Sequence, residues 1–262
     1  MLINLKNRNA LVCGSTQGIG KASAIALAQA GASVTLVARN QSRLEQVKCE
    51  LSTGEGQEHE FIVADFQDPT GLAKKVQTQM GGGLTFQILV NNTGGPPGGQ
   101  ILPATIDQFE NAFTQHLKCN HLLVQALVPG MKSAGFGRII NVISTSVKQP
   151  LDGLGVSNTI RGAVASWAKT MANELGKFGI TVNNILPGAT ATERLNSIIQ
   201  AKAEKTGKSV EEISDAMKQA IPAGRFGEAS EIASAVTFLA SDMASYINGV
   251  NLPVDGGRTR SL

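Results

Sequence analysis

The chain has 262 residues, enough for one large α/β domain with a well-buried core. Lys and Arg total 23 against 20 Asp and Glu, a net charge of +3 without runs of one sign. That excludes the electrostatic footprint of a nucleic-acid or acidic-membrane partner and leaves a small molecule as the expected one.

Cys13, Cys49 and Cys119 lie far apart, with no Cys-x-x-Cys pair and no histidine at ligand spacing, so neither a disulfide scaffold nor a metal site is expected. The opening MLINLKNRNALVCGS lacks the apolar stretch of a signal peptide, and no run of about 18 apolar residues occurs. A soluble protein of the reducing cytoplasm is expected, with no membrane partner.

In chain order, short β-branched runs alternate with longer helical patterns. ALVCG precedes a helix over 18–30, SVTLVA one over 41–52, EFIVAD one over 69–80, and FQILVNN a helical stretch over 105–131. GRIINVIS leads to a helix over 154–177, and ITVNNILPG to a helical region over 193–240, before a last strand in GVNLPVD. Strands separated by such helices need crossover connections, which put helices on both faces of a parallel sheet. The strands are apolar on both faces, as covered sheets require. The expectation is one domain over 1–262: a doubly wound Rossmann α/β fold with a mostly parallel seven-stranded sheet.

Open α/β sheets bind ligands beyond their strand ends, which marks TGGPPGGQ (93–100) as an active-site loop. The charged segment 193–222 predicts a helical lid over the same edge.

Gly14, Gly18 and Gly20 fall between the first strand and its helix, with Ser15 and Ile19 among them. Glycines there let the backbone approach a pyrophosphate while the helix N-terminus holds the charge. The second strand ends in LVARN, offering Arg39 where NAD-preferring folds place a carboxylate. Arginine can receive a 2′-phosphate, so NADP is expected, with NAD as the other option.

With these motifs in order, the chain resembles the short-chain dehydrogenase/reductase family, and especially its 3-oxoacyl-acyl-carrier-protein reductase-like branch. The resemblance runs through Gly14-x-x-x-Gly18-Ile19-Gly20, Asp65, Asn91-Asn92-Thr93-Gly94, Ser144, Pro187-Gly188 with Thr192, and SYINGVNLPVDGG. It implies that Asp65 contacts the adenine, that Asn91 to Gly94 lie beside the adenosine ribose, and that Thr192 lies near the carboxamide. It also implies a homotetramer.

Reducing a carbonyl takes a hydride on carbon and a proton on oxygen. The resemblance implies a tyrosine as proton donor, a lysine one turn later, and a serine that polarises the carbonyl. Ser144 fits the serine. Counting on from it, and back from AKTMANEL, puts the tyrosine position on Ser157 and the lysine position on Arg161. The single tyrosine, Tyr246, is followed four residues later by valine and has no part in this pattern.

Residues 157 and 161 share a helix face. Arg161 offers donors for ribose hydroxyls or a substrate anion but no proton, because guanidinium stays charged. Ser157, His116, Lys148 or a water they hold are the candidates to move it. His116 aligns with the family's fourth member, an asparagine, a part that Asn120 could also play. Positioned proton transfer is worth about 10²–10⁴-fold, so losing the tyrosine slows hydride transfer without abolishing it.

The expected function is an NADP(H)-dependent oxidoreductase acting on a carbonyl or hydroxyl of a small organic or acyl substrate. The alternatives are a dinucleotide-binding protein of the same fold without redox catalysis, a sensor or assembly partner, and lyase or isomerase chemistry.

Overall fold

Seven strands form one sheet in the computed structural model, which describes residues 3–261. They are β1 (Asn9–Cys13), β2 (Ser33–Ala38), β3 (Glu60–Val63), β4 (Ile88–Asn91), β5 (Gly137–Val142), β6 (Ile180–Pro187) and β7 (Asn251–Val254). Their order across the sheet is β3-β2-β1-β4-β5-β6-β7, and every neighbouring pair is parallel. The order reverses between β1 and β4, which opens a crevice at their C-terminal ends.

The helices are α1 (Gly18–Gln29), α2 (Gln41–Glu50), α3 (Pro69–Met80), α4 (Ile106–Phe113), α5 (Cys119–Ala134), α6 (Gly155–Leu175), α7 (Glu193–Thr206), α8 (Val210–Gln219) and α9 (Ala229–Ala240). On one face of the sheet, Leu27 of α1, Leu44 of α2 and Val236 of α9 pack with Val12, Val34 and Val90. On the other, Leu72 of α3, Leu127 of α5 and Ala168 of α6 pack with Leu11, Val37 and Leu89. Coverage on both sides is why the strands read as unbroken apolar runs. Helices α7 and α8 have an apolar cluster of their own, Leu195, Ile199, Ala203 and Ile213.

Two helical stretches are divided more finely than their sequence suggests. Within 105–131, Thr114–Lys118 forms a π-helical turn between α4 and α5, a widening common at functional sites, and it turns His116 inward. Within 193–240, Gly207 ends α7 in the left-handed region at φ 68°, and Ser209 and Glu212 cap α8 reciprocally. Pro222 then lies in the loop before α9, whose first residue is Ala229.

Four asparagines run across the sheet in register: Asn91 on β4, Asn141 on β5, Asn184 on β6 and Asn251 on β7. Asn91 Nδ2 donates to Asn141 Oδ1 at 2.9 Å, Asn141 Nδ2 to Asn184 Oδ1 at 2.9 Å, and Asn184 Nδ2 to Asn251 Oδ1 at 2.8 Å. The row thereby gives Asn141 both of its partners and Asn91 Nδ2 an acceptor, as burial demands.

Candidate functional site

The crevice begins with a bare loop. Gly14 and Gly18 have φ of 58° and 52°, conformations that L side chains rarely adopt. A Cβ on Gly20 would lie 2.1 Å from Gly14 O and 2.6 Å from Asn92 Nδ2. Asn92 is the clamp here, its Nδ2 donating to Cys13 O at 3.3 Å and Gly14 O at 3.2 Å.

Ser15 is fully buried, and its hydroxyl accepts from Val37 N at 3.0 Å, tying the loop to β2. Ile19 packs against the core. Gln17, before α1, contributes no side-chain cap, so the first amides of that helix are left for an outside anion. The loop fits a dinucleotide pyrophosphate on these grounds.

A cleft of about 420 Å³ adjoins the loop, lined by Thr16, Gln17, Gly18, Lys21, Arg43 and Thr192 among others. Arg39 is exposed just after β2 and is not in that lining. Arg43, one turn further on, is, with Nη1 donating to Gln17 Oε1 at 2.8 Å. Sequence reasoning missed Arg43. The signal was Asn40, which caps α2 by accepting from Arg43 N at 3.0 Å and so fixes Arg43 in the first turn. Asp65 is exposed after β3, its Oδ1 accepting from Gln67 N at 2.9 Å.

At the neighbouring strand end, β5 leads to Ser144, which is half-buried and accepts from Ser146 N at 3.1 Å. Helix α6 carries Ser157 and Arg161 one turn apart. Arg161 is 7% exposed, and its Nη1 donates to Val142 O at 3.1 Å, which brings it to the strand end that delivers Ser144. Burial, and then the charge of Arg194, lower the Arg161 pKa to about 10, so it remains a cation at neutral pH.

His116 is 1% exposed and shares a hydrogen bond through Nδ1 with Thr93 Oγ1. Burial, and then the charge of Arg161, hold its pKa down to about 2. Both effects disfavour the protonated imidazole and so weigh against the acid role expected from sequence. Asn120, one turn later, is also buried, while Lys148 is half-buried beyond Ser144. Tyr246 is wholly exposed, and the residues after it, Ile247 and Asn248, bond to Asn183 and Val182 in the first half of β6, at the opposite edge of the sheet.

The loop 93–100 joins these parts. Gly99 N donates to Gly153 O at 2.7 Å and Gly155 N to Gly99 O at 3.0 Å, pinning the loop to the start of α6. Arg194 Nη2 donates to Pro96 O at 2.6 Å, so α7 touches the loop. Pro187 ends β6, and a Cβ on Gly188 would lie 2.7 Å from Asp255 Cα. Thr192 caps α7 and closes over the glycine loop, where a Cβ on Gly18 would lie 3.3 Å from Thr192 Cγ2.

A family model described as enoyl-(acyl carrier protein) reductase matches residues 14–259. The chain belongs to the short-chain dehydrogenase/reductase family. It is similar to the NADPH-dependent reductase BacG of Bacillus subtilis, at 30% identity over 98% of this chain and 100% of that protein. It is similar also to the 3-oxoacyl-[acyl-carrier-protein] reductase FabG of Pseudomonas aeruginosa, at 32% identity over 97% and 98% of the two chains. Among solved structures, the L-sorbose reductase of Gluconobacter frateurii, complexed with NADPH and L-sorbose, superposes with a TM-score of 0.93 at 29% identity, covering 100% of both chains.

In this short-chain dehydrogenase/reductase, the fold gathers the sequence candidates into two groups. Gly14, Gly18, Gly20 and Thr192 meet at the head of α1, and Thr93, His116 and Arg161 meet near the ends of β4 and β5. Gly94 stands in the open, with nothing within 4 Å of a Cβ built there. At the end of β4, Asn91 Nδ2 belongs to the asparagine row, and its Oδ1 is buried without a partner among the described residues.

Proposed function

We propose that this short-chain dehydrogenase/reductase is an NADP(H)-dependent oxidoreductase acting on a carbonyl or hydroxyl of a small organic or acyl substrate. The uncapped head of α1 carries the proposal, because the positive φ of Gly14 and Gly18 and the close approach of Gly20 to Gly14 O make a tight turn that leaves the first amides of α1 to an outside anion such as a pyrophosphate. Gly14, Ser15, Gly18, Ile19 and Gly20 would hold the phosphates by their backbone, with Arg39 or Arg43 at the 2′-phosphate. Asp65, Asn91 to Gly94, Pro187, Gly188 and Thr192 would complete the site as the family resemblance implies. The resemblance also supports a cytoplasmic homotetramer.

A nicotinamide dinucleotide bound there supplies or accepts the hydride. Ser144 donates a hydrogen bond to the substrate oxygen and polarises it. Ser157 stands where the family has tyrosine and is a much weaker acid, so it hands on a proton from water rather than supplying one quickly. Lys148 is the reserve for that proton. His116, held neutral, positions Thr93 and does not act as an acid. Arg161 takes the lysine's place, steadying ribose hydroxyls or a substrate anion. Helices α7 and α8 act as the lid over this edge. Family membership does not favour a binding protein without redox catalysis.

The test is NADPH binding by calorimetry, followed by turnover on a carbonyl panel with Ser144→Ala alongside. Ser144→Ala is expected to cut kcat by about 10²–10³-fold, the usual cost of losing one donor to a developing oxyanion. NADPH binding without oxidation by any carbonyl, or an unchanged kcat in Ser144→Ala, would count against the proposal.

Arg43→Gln is expected to raise the KM for NADPH about 10–100-fold, as a charge-assisted phosphate contact implies, and to leave that for NADH unchanged. Equal changes for both cofactors would remove Arg43 from the 2′-phosphate.

A further inference from the structure

Arg161 and Arg194 come from different helices, α6 and α7, yet their guanidinium groups approach one point beside Gly95. A methyl group built on Gly95 would lie 3.6 Å from Arg194 Nη2, 3.9 Å from Arg194 Nε and 4.0 Å from Arg161 Nη2. Glycine has no side chain to fill that gap, so two cations face it. Each is steadied by one backbone carbonyl, Val142 O for Arg161 and Pro96 O for Arg194.

Neither arginine takes part in an ion pair among the described residues. Arg161 is 7% exposed, and a buried guanidinium without a counter-ion is costly. The charge of Arg194 adds repulsion to that cost. An anion between the two groups would relieve both.

We propose that Arg161 and Arg194 together seat a carboxylate of the substrate, so that the enzyme acts on oxo or hydroxy acids in preference to neutral ketones. The inference rests on the oxidoreductase function proposed above. A carboxylate suits the gap because it is flat and can present one oxygen to each guanidinium fork. Its location suits a substrate group. Arg161 reaches the end of β5 two residues before Ser144, whereas the phosphate cradle at the head of α1 and the cleft beside it contain neither arginine. The same pair explains why arginine serves at position 161: a fork reaches carbonyl and anion together, which a single ammonium does less well.

The experiment titrates the protein saturated with NADP⁺, which cannot reduce an oxo acid, by calorimetry at low salt. The probes are pyruvate, acetoacetate and levulinate, the methyl ester of each, and inorganic phosphate. At least one acid is expected to bind about 10–100-fold tighter than its ester, the range for hydrogen bonds to charged groups.

Arg194→Gln, at an exposed position, should abolish that preference and leave NADPH affinity unchanged. Gly95→Asp, which supplies an internal carboxylate, should abolish it too while raising the melting temperature. No acid preferred over its ester overturns the inference, as does phosphate binding more tightly than every acid in an Arg194-dependent way. An equal loss of NADPH affinity in Arg194→Gln also overturns it, because the anion would then be the cofactor's own. Failure of the unaltered protein to bind NADPH at all is a different result and sinks the proposed function instead.

Discussion

Gly20→Ala is expected to weaken NADPH binding by at least about 100-fold, the scale on which misplacement by an ångström acts. The new methyl would stand 2.1 Å from Gly14 O and 2.6 Å from Asn92 Nδ2. Neither neighbour is the free end of a flexible chain: one is backbone, and the other is held on Cys13 O and Gly14 O. The loop must therefore shift, and with it the amides at the head of α1. Calorimetry with NADPH measures the loss, and circular dichroism confirms that the fold survives. Gly82→Ala, where a Cβ meets nothing within 4 Å, serves as the control and should bind as before. Undiminished affinity in Gly20→Ala would mean that the dinucleotide lies elsewhere.

Asn141→Leu is expected to cost about 2–6 kcal/mol of stability, from about 1–3 kcal/mol for each buried polar group left unpaired. Two groups lose their partners, Asn91 Nδ2 and Asn184 Oδ1, and Asn141 itself is fully buried. A fall in melting temperature on the order of 10 °C follows for a chain of this size. Differential scanning calorimetry reads it directly. Asn251→Ala, at the end of the row, strands a single donor, Asn184 Nδ2, and should cost less. Equal losses for the two would mean that the row does not act as a series of paired amides.

The sheet was legible because strand and helix periods alternate cleanly, and because covered parallel strands announce themselves as continuous apolar runs. The glycine turn was legible because its spacing is local, whereas Ser144, which follows β5, was singled out through the family resemblance.

What stayed hidden depends on distant pieces meeting. Arg194 meets Pro96, 98 residues away in sequence, and no local pattern predicts that bond. The widened turn at Thr114–Lys118 contains neither proline nor glycine to mark it, so the burial that silences His116 could not be anticipated. The bond from the Asn91 amide to Asn141 joins residues 50 apart and depends on the pairing of β4 with β5. The pair Asn183–Asn184 inside an otherwise apolar strand did carry a usable signal, because buried amides require partners. Arg43 is marked in the sequence only through the Asn40 cap, whereas Arg39 stands nearer the strand end.

The apolar cluster shared by α7 and α8 has a mechanical consequence. Leu195, Ile199, Ala203 and Ile213 stay dry against one another, apart from the two clusters that flank the sheet. Ala189 and Phe226 pack on this cluster from outside the two helices, and Arg194 ties α7 to Pro96. The α7–α8 pair and the barrier around the sheet draw on separate reservoirs of oily contact, so a sequence change that loosens one can leave the other intact.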